Sequence, residues 1–134
     1  DWVPPFTVLL TAANGESIIH ETIYPNRLDF IPELKKMGAE IELFNPKIGA
    51  PEAFYNFNPE DDDPSFFHAA KIFGPTPLVG TKIDASDSPA AAALLVAALC
   101  AKGTSEISGT EHLKAGYENI VEKLKALGAK IEEE

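Results

Sequence analysis

The amino-acid sequence predicts an α/β fold in which helices pack against sheets, and two observations support this class. Helical and strand patterns alternate along the chain, which is typical of layered α/β proteins. Residues 33–42 read E-L-K-K-M-G-A-E-I-E and residues 123–132 read K-L-K-A-L-G-A-K-I-E, so one motif recurs after 90 positions. An internal repeat constrains the architecture. This one predicts a single domain made of two repeat units, about 4–83 and 84–134.

The composition is compatible with one compact domain and narrows its function. The chain has 134 residues, of which 45% are hydrophobic and 24% are charged, which is enough to build a core. The net charge of -10 argues against nucleic-acid binding, because that affinity comes from Lys and Arg on phosphates. It also disfavours a phosphorylated ligand, unless a local basic cluster overrides the overall charge.

Cysteine usage and hydropathy bear on the cellular location. Cys100 is alone, so no intrachain disulfide can form, and a reducing cytoplasm is the simpler interpretation. The longest apolar run, residues 90–101, is shorter than the ~20 residues of a membrane-spanning helix. The sequence begins at Asp1 without a methionine, so we expect a fragment or a processed chain.

The first unit opens with a predicted helix and strand. Pro4 and Pro5 favour a helix start, because a first-turn proline lacks only an N–H that would be unpaired anyway. Residues 6–13 are almost all apolar, so this helix is predicted to be buried, and Gly15 should follow its end. A strand is predicted over residues 17–22.

A second helix follows, because apolar residues recur at helical spacing in the next segment. These residues are Leu28, Ile31, Leu34 and Met37. The predicted helix ends at Gly38. Pro32 lies inside the pattern, either in the first turn or at a kink, and the first turn is favoured. A strand over residues 39–44 completes this part.

Residues 45–65 are rich in proline and contain the acidic run 60–63. A solvated loop is the simpler interpretation of this segment. A metal site is the alternative, but the run lacks the glycine and the distal glutamate of a calcium loop. Several aromatic residues predict that parts of the segment pack against the domain: Phe54, Tyr55, Phe57, Phe66 and Phe67.

The next elements are two strands and an apolar helix. Strands are predicted over residues 69–73 and 78–83, on either side of a Gly-Pro-Thr-Pro turn. Asp87-Ser88-Pro89 is a helix-start pattern. The helix over residues 90–102 is apolar on nearly all sides, so we expect it to be central, with Cys100 packed inside it.

The end of the chain is predicted to form a strand, a helix and a strand. The first strand covers residues 106–108. The helix would bury one apolar face, composed of Tyr117, Ile120, Val121, Leu124 and Leu127. Gly128 should end this helix, and a strand over residues 129–132 should close the chain.

Several stretches resemble a known family. Residues 20–27 read H-E-T-I-Y-P-N-R, and residues 32–39 read P-E-L-K-K-M-G-A. Residues 74–80 read G-P-T-P-L-V-G, and residues 116–129 read G-Y-E-N-I-V-E-K-L-K-A-L-G-A. Together these motifs resemble the UDP-N-acetylglucosamine 1-carboxyvinyltransferases, a family of enolpyruvyl transferases. Residues 111–114, E-H-L-K, are also similar to 5-enolpyruvylshikimate-3-phosphate synthase.

The resemblance implies a fold and a reaction. The family fold has two domains of three βαβαββ units each, so this chain would be a C-terminal fragment of about two units. The second domain, with a catalytic cysteine and a lysine, would then be a missing partner. The implied reaction moves the enolpyruvyl group of phosphoenolpyruvate to the 3′-hydroxyl of UDP-N-acetylglucosamine, without a cofactor, in cytoplasmic peptidoglycan synthesis.

The resemblance also implies a catalytic residue and an anion-binding residue. Asp1 matches an aspartate that contacts the sugar hydroxyl and is the expected base. A helix N-cap or a frayed terminus is the alternative for Asp1. Arg27 matches an arginine that would contact an anion or the nucleotide sugar. The alternative for Arg27 is an ion pair with Asp29 or Glu33 at the start of a helix.

Further substrate contacts are implied at three positions. Ile23 and Tyr24 match positions that line the uridine site of the family. Asp87 matches an aspartate before the alanine-rich helix, and it is equally compatible with a helix cap. No metal site is predicted, because the three histidines have no ligand spacing and are interpreted as structural or surface residues: His20, His68 and His112.

Departures from the family pattern support a second hypothesis. Pro25 replaces a glutamate, and Pro89 and Ala115 replace two arginines, so the chain loses cationic donors from an anion site. Lys114 could substitute in part, but only as a point charge. The alternative function is therefore a non-catalytic relative or scaffold. Two units in place of three would also leave apolar faces uncovered, which predicts self-association or marginal stability.

Overall fold

The computed structural model describes residues 1–86 and 89–133, apart from the side chain of His112. The helices are α1 (Val3–Thr11), α2 (Ile31–Lys36), α3 (Pro51–Phe54), α4 (Ala91–Cys100), α5 (Glu111–Gly116) and α6 (Ile120–Ala126), with a 3-10 turn at Pro59–Asp61. The strands are β1 (Gly15–His20), β2 (Glu40–Phe44), β3 (Ala69–Gly74), β4 (Lys82–Asp84) and β5 (Glu106–Ser108).

The strands form two separate sheets. The first is antiparallel, has the order β1-β3-β2, and pairs Ile18 with Lys71 and Ile41 with Ile72. The second is the parallel pair β4-β5, in which Ile83 lies opposite Ile107. Helices α1 and α2 contact these strands, and both pack against α4. Helices packed against sheets confirm the predicted α/β class.

The core is centred on α2, whose inner side chains are fully buried. They are Phe30, Ile31, Leu34 and Met37, and they lie in one cluster with Ile72 and Leu94. Pro32 is in the first turn of α2, as favoured, so its missing N–H leaves the helix intact. Glu33 accepts a hydrogen bond from the amide of Asp84 at 3.0 Å, which ties α2 to β4.

Glycines at corresponding repeat positions share an unusual backbone conformation. Gly15 and Gly103 have φ of 97° and 89°, and Gly38 and Gly128 have φ of 94° and 96°. Other residues rarely adopt this left-handed region, because a Cβ atom would be strained there. The sequence repeat is therefore also a repeat of backbone turns, while the division into units at residue 83 stays a prediction.

Two helices are less buried than predicted. In α1 the exposed side includes Phe6 and Leu9, and the buried residues include Thr7, Val8 and Thr11. The threonine hydroxyls avoid a desolvation cost because they donate to carbonyls of the preceding turn. In α4 the C-terminal end is open, and Cys100 is exposed. The predicted packing role of Cys100 is wrong, because it lies beyond the part of α4 that faces the core.

The two strands predicted around the Gly-Pro-Thr-Pro turn do not pair with each other. β3 belongs to the antiparallel sheet, and β4 is only Lys82–Asp84 and pairs with β5. Between them the chain leaves the sheet, and the amide of Val79 donates to the carbonyl of Met37 at 2.8 Å. Gly80 then lies so close to residue 104 that a Cβ would come within 2.3 Å of its carbonyl oxygen.

The C-terminal prediction is wrong in three respects. The single helix is interrupted at Asn119, whose φ is 51°, so α5 and α6 are separate helices. No described residue of α6 is fully buried, and residues 129–132 form no strand. The apolar face exists, but it is only partly covered: Ile120 and Leu124 pack against the core, and Leu127 is 85% exposed. Packing rather than periodicity decides burial here.

Candidate functional site

The turn after β1 is held in shape by a buried carboxylate. The Glu21 side chain is largely buried, since the residue is only 5% exposed. Its Oε1 accepts hydrogen bonds from the amides of Ile23 at 2.6 Å and Tyr24 at 3.1 Å. The side chains of Ile23 and Tyr24 are half exposed as a result of this turn. Glu21 was not predicted as a site residue, although a carboxylate at a strand end within the family motif was an available signal.

Arg27 lies against this turn and is the main cation of the site. Its guanidinium carbon is 4.7 Å from the centroid of the Tyr24 ring, a cation–π arrangement. Its Nη2 donates to Oδ1 of Asp1. The Arg27 side chain is only 14% exposed, and its buried Nε has no hydrogen-bond partner. The guanidinium is therefore held in place and keeps an unused donor.

The ion pair of Arg27 differs from the two alternatives that the sequence left open. Glu33 instead accepts from Lys36 Nζ at 2.6 Å and from the Asp84 amide. Burial raises the pKa of Asp29, and the amide of Phe30 and the charge of Arg27 only partly oppose that rise. Among the described residues, the ion pair formed by Arg27 is the one with Asp1.

Asp1, the first residue of the sequence, contacts the turn through Arg27. Its side chain is 88% exposed, and the N-cap of α1 is Trp2, without a side-chain capping bond. The structure therefore brings together Asp1, Tyr24 and Arg27, with Ile23 beside them. Asp87, the remaining predicted contact, lies outside the described residues. At the end of β4, Asp84 accepts hydrogen bonds from Ser86, which lower the pKa of its carboxyl.

An aromatic cluster lies directly behind the turn. It consists of His20, Phe54, Tyr55, Phe57 and His68, whose neighbouring ring centroids are 4.8 to 5.7 Å apart. The amide of Glu21 donates to the carbonyl of His68, and the carbonyl of Thr22 accepts from the amide of Asn56, both at 2.7 Å. These two bonds connect the cluster to the turn. The predicted packing of aromatics from residues 45–65 is confirmed for Tyr55 and Phe57.

The two histidines of the cluster and the acidic residues beside it form hydrogen bonds with near neighbours. His20 Nε2 lies 3.0 Å from Tyr55 Oη, and the buried His68 Nε2 lies 2.7 Å from Asp62 Oδ2. Asp63 accepts from the amide and hydroxyl of Ser65, which lowers the pKa of its carboxyl. Within residues 1–86 and 89–133 no three metal-ligating side chains lie together.

The cluster predicts a pH dependence of stability. Burial, and next the neighbouring His68, lowers the pKa of His20 below its ordinary 6.5, and Glu21 only partly opposes this. The unfolded chain therefore binds a proton at a pH where the folded chain does not. Stability from neutral His20 is present above pH 6.5 and is lost as the pH falls through the folded-state pKa.

This dependence can be measured with His20→Gln by thermal unfolding between about pH 8 and pH 5. The wild-type melting temperature should fall relative to that of the variant as the pH decreases. Glu40→Gln, at an exposed position of β2 whose side chain has no ion pair within the described residues, should keep the wild-type pH dependence. Parallel curves for wild type and His20→Gln would contradict the assignment.

A second surface feature is an apolar groove between α4, α5 and α6. Its volume is about 160 Å³, and its lining includes Leu95, Val96, Leu99, Leu113, Tyr117 and Leu124. The groove lies on the same face that α6 leaves uncovered. Exposed continuous apolar surface of this kind is typical of a contact with another protein surface.

The structure shows what stands at the position where the family pattern has an arginine and this chain has Ala115. Ala115 is exposed on α5 and carries no donor. Lys114, the neighbouring cation, forms an ion pair with Glu133, which raises the pKa of Lys114. Lys114 is therefore engaged by a carboxylate instead of standing free for an anion.

The sequence matches a protein family over most of its length. Residues 1–124 match EPSP synthase (3-phosphoshikimate 1-carboxyvinyltransferase). Among solved structures, the enolpyruvyl transferase NikO from Streptomyces tendae is similar, with a TM-score of 0.74 and 30% identity. That alignment covers 97% of this chain and 25% of the NikO chain.

Individual relatives are more similar in sequence. The UDP-N-acetylglucosamine 1-carboxyvinyltransferase of Protochlamydia amoebophila is 44% identical over 131 residues, which is 98% of this chain and 27% of that protein. The protein of the same name from Chlamydia abortus is 43% identical over 132 residues, 98% of this chain and 28% of its own length. The chain thus spans about a quarter of the relatives that it matches. None of the described helices is long and apolar enough to cross a membrane.

Proposed function

Because the chain belongs to the EPSP synthase (3-phosphoshikimate 1-carboxyvinyltransferase) family, we propose that it forms part of an enolpyruvyl transferase of peptidoglycan synthesis. In this proposal the enzyme moves the enolpyruvyl group of phosphoenolpyruvate to the 3′-hydroxyl of UDP-N-acetylglucosamine. The hydroxyl oxygen bonds to C2 of phosphoenolpyruvate as its double bond opens and C3 takes up a proton; loss of a proton from C3 then restores the double bond as the C2–O bond to phosphate breaks. The names of the relatives support this choice of substrates over other acceptors.

The observation that carries the proposal is the placement of Arg27. Its guanidinium is held over Tyr24 with an unsatisfied Nε, at a turn whose neighbouring side chains are exposed. A planar guanidinium matches carboxylate and phosphate groups through paired hydrogen bonds. We assign Arg27 to an anionic group of the substrates, and Ile23 and Tyr24 to the uridine end of the nucleotide sugar.

Two acidic residues complete the proposed site. Asp1 would act as the base that takes the proton from the 3′-hydroxyl, since an exposed carboxylate beside a fixed guanidinium can reach a bound sugar. Asp87 would contact the substrate through its carboxylate, an assignment that rests on the family pattern alone. The ion pair of Asp1 with Arg27 supports their membership of one site.

A titration tests the proposal. UDP-N-acetylglucosamine added to this chain in a calorimeter should bind with a Kd between about 10 μM and 1 mM, which corresponds to a free energy of roughly -7 to -4 kcal/mol. Absence of binding at about 10 mM ligand, roughly -3 kcal/mol, would reject a functional half-site in this chain.

A specific observation favours the second candidate, a non-catalytic relative or scaffold. Ala115 and Pro89 stand where the family pattern has arginines, and Lys114 is paired with Glu133. A chain without those cations would bind phosphoenolpyruvate poorly even if it binds the nucleotide sugar. Detectable binding of phosphoenolpyruvate in the presence of saturating UDP-N-acetylglucosamine would therefore contradict the second candidate.

Two surface features, the apolar groove and the exposed Cys100, support proposals about partners and location. The apolar groove of α4, α5 and α6 supports packing against another protein surface, either the further parts found in the longer relatives or a second copy of the chain. For the second copy, light scattering should show mass increasing with concentration, and a constant monomer mass would count against it. An exposed unpaired Cys100 favours a reducing, cytoplasmic location.

A further inference from the structure

We infer that Glu21 is a positioning residue of the proposed nucleotide-sugar face, acting through the shape of the turn that carries Ile23 and Tyr24. The identity of the ligand in this inference rests on the proposed function, whereas the effect of Glu21 on the turn rests on geometry alone. Glu21 itself is buried at the end of β1, so its carboxylate acts on a substrate only through the residues it holds.

The hydrogen bonds of Glu21 are directed at the exposed residues of the site. A buried carboxylate is costly unless it is paired or hydrogen-bonded. Within the described part of the chain Glu21 has no ion pair; its Oε1 accepts from the amides of Ile23 and Tyr24, at 2.6 and 3.1 Å. The two amide hydrogen bonds therefore offset the desolvation cost of the Glu21 carboxylate. Because of these bonds, the position of the carboxylate constrains the backbone of Ile23 and Tyr24.

The constraint extends from the turn to the cation. The Tyr24 ring supports the Arg27 guanidinium at 4.7 Å. A displacement of the Tyr24 backbone would move the ring and remove this support. Oriented contacts are sensitive to such shifts: a misplacement of about 1 Å at a reacting centre can lower a rate by roughly 100-fold. Glu21 thus sets where Arg27 presents its donors, without contacting the ligand.

The main chain of the same segment is anchored on its opposite side. The amide of Glu21 donates to the carbonyl of His68, and the carbonyl of Thr22 accepts from the amide of Asn56. The aromatic cluster therefore fixes the start of the turn, and the Glu21 carboxylate fixes its continuation at Ile23 and Tyr24. Loss of the carboxylate leaves the first anchor intact, so a variant should be folded but altered locally.

Two conservative variants distinguish geometry from charge. Glu21→Gln removes the charge but keeps an oxygen acceptor at the same reach, whereas Glu21→Asp keeps the charge and withdraws the acceptor by one methylene. A positioning role predicts that UDP-N-acetylglucosamine binds Glu21→Gln less than about threefold more weakly, and Glu21→Asp about tenfold more weakly, than wild type. Glu40→Gln, at an exposed position of β2 whose side chain has no ion pair within the described residues, is the matched control and should bind as wild type.

The reverse order, with Glu21→Asp binding better than Glu21→Gln, would overturn the inference in favour of an electrostatic role. Equal binding by all variants would overturn it as well. Urea unfolding of each variant separates a local effect from a loss of overall stability.

A ligand-free measurement separates this inference from the proposed function. Hydrogen exchange at the amides of Ile23 and Tyr24 should be about tenfold faster in Glu21→Asp than in wild type, and nearly unchanged in Glu21→Gln. Unchanged exchange in Glu21→Asp would overturn the inference whatever the ligand does. If the wild type binds no UDP-N-acetylglucosamine but the exchange pattern holds, the proposed ligand fails and the role of Glu21 in the turn stands.

Discussion

Replacing Arg27 with alanine is expected to weaken binding of UDP-N-acetylglucosamine by about 10- to 100-fold. Hydrogen bonds to charged groups contribute about 1.5–3 kcal/mol each, and every 1.4 kcal/mol is roughly tenfold in affinity. Arg27 is suited to this role because its guanidinium is immobilised over Tyr24 before any ligand arrives. Little conformational entropy is then lost on binding. Titration calorimetry of the variant beside the wild type measures the change.

Two control variants make the result specific to the arginine. Arg27→Lys keeps the charge but loses the planar donors, so its affinity should fall between those of wild type and Arg27→Ala. Lys35→Ala removes one positive charge from an exposed position of α2 and should change binding little. If Lys35→Ala weakened binding as much as Arg27→Ala, only the overall charge would matter. In that case the assignment of Arg27 as a ligand contact would be wrong.

Replacing Met37 with alanine is expected to lower the free energy of unfolding by about 2–5 kcal/mol, whereas Leu127→Ala should change it by less than about 0.5 kcal/mol. The two residues occupy the same position of the repeat, 90 residues apart. Met37 is 0% exposed and Leu127 is 85% exposed. The first truncation leaves a cavity in the core, and the second removes a side chain that lies largely in solvent.

Urea denaturation followed by circular dichroism measures both changes. The comparison should be made at low protein concentration, where self-association contributes least. Similar losses in the two variants would contradict the structure, because they would mean that the face of α6 is covered. If the free energy of unfolding lost in Leu127→Ala increased with protein concentration, a second copy of the chain would be identified as the surface that covers α6.

Much of the architecture could be predicted because its determinants are local. Repeated glycines end helices α2 and α6 at Gly38 and Gly128, since both need a left-handed backbone that few other residues tolerate. Alternating periodicity located β2 to within a residue, a short strand was predicted where β5 lies, and the family motif pointed to Arg27. Each of these signals is contained in a few consecutive residues.

Other features depend on which distant segments meet, and the tertiary structure alone decided them. Arg27 pairs with Asp1, 26 residues away, instead of with the nearer Asp29 or Glu33. β4 pairs with β5 instead of β3, because the chain between β3 and β4 leaves the first sheet along the end of α2. Strand partners and ion pairs of this kind carry no periodic signal in the sequence.

Burial shows the same division between local and distant causes. The sequence by itself determined that α2 and α6 each have an apolar face, since the spacing of apolar side chains is a property of one helix. Only the tertiary structure decided that Met37 lies in the core and Leu127 in solvent. The physical reason is that burial requires a second surface, and the described chain covers the apolar face of α2 fully but that of α6 only in part, at Ile120 and Leu124.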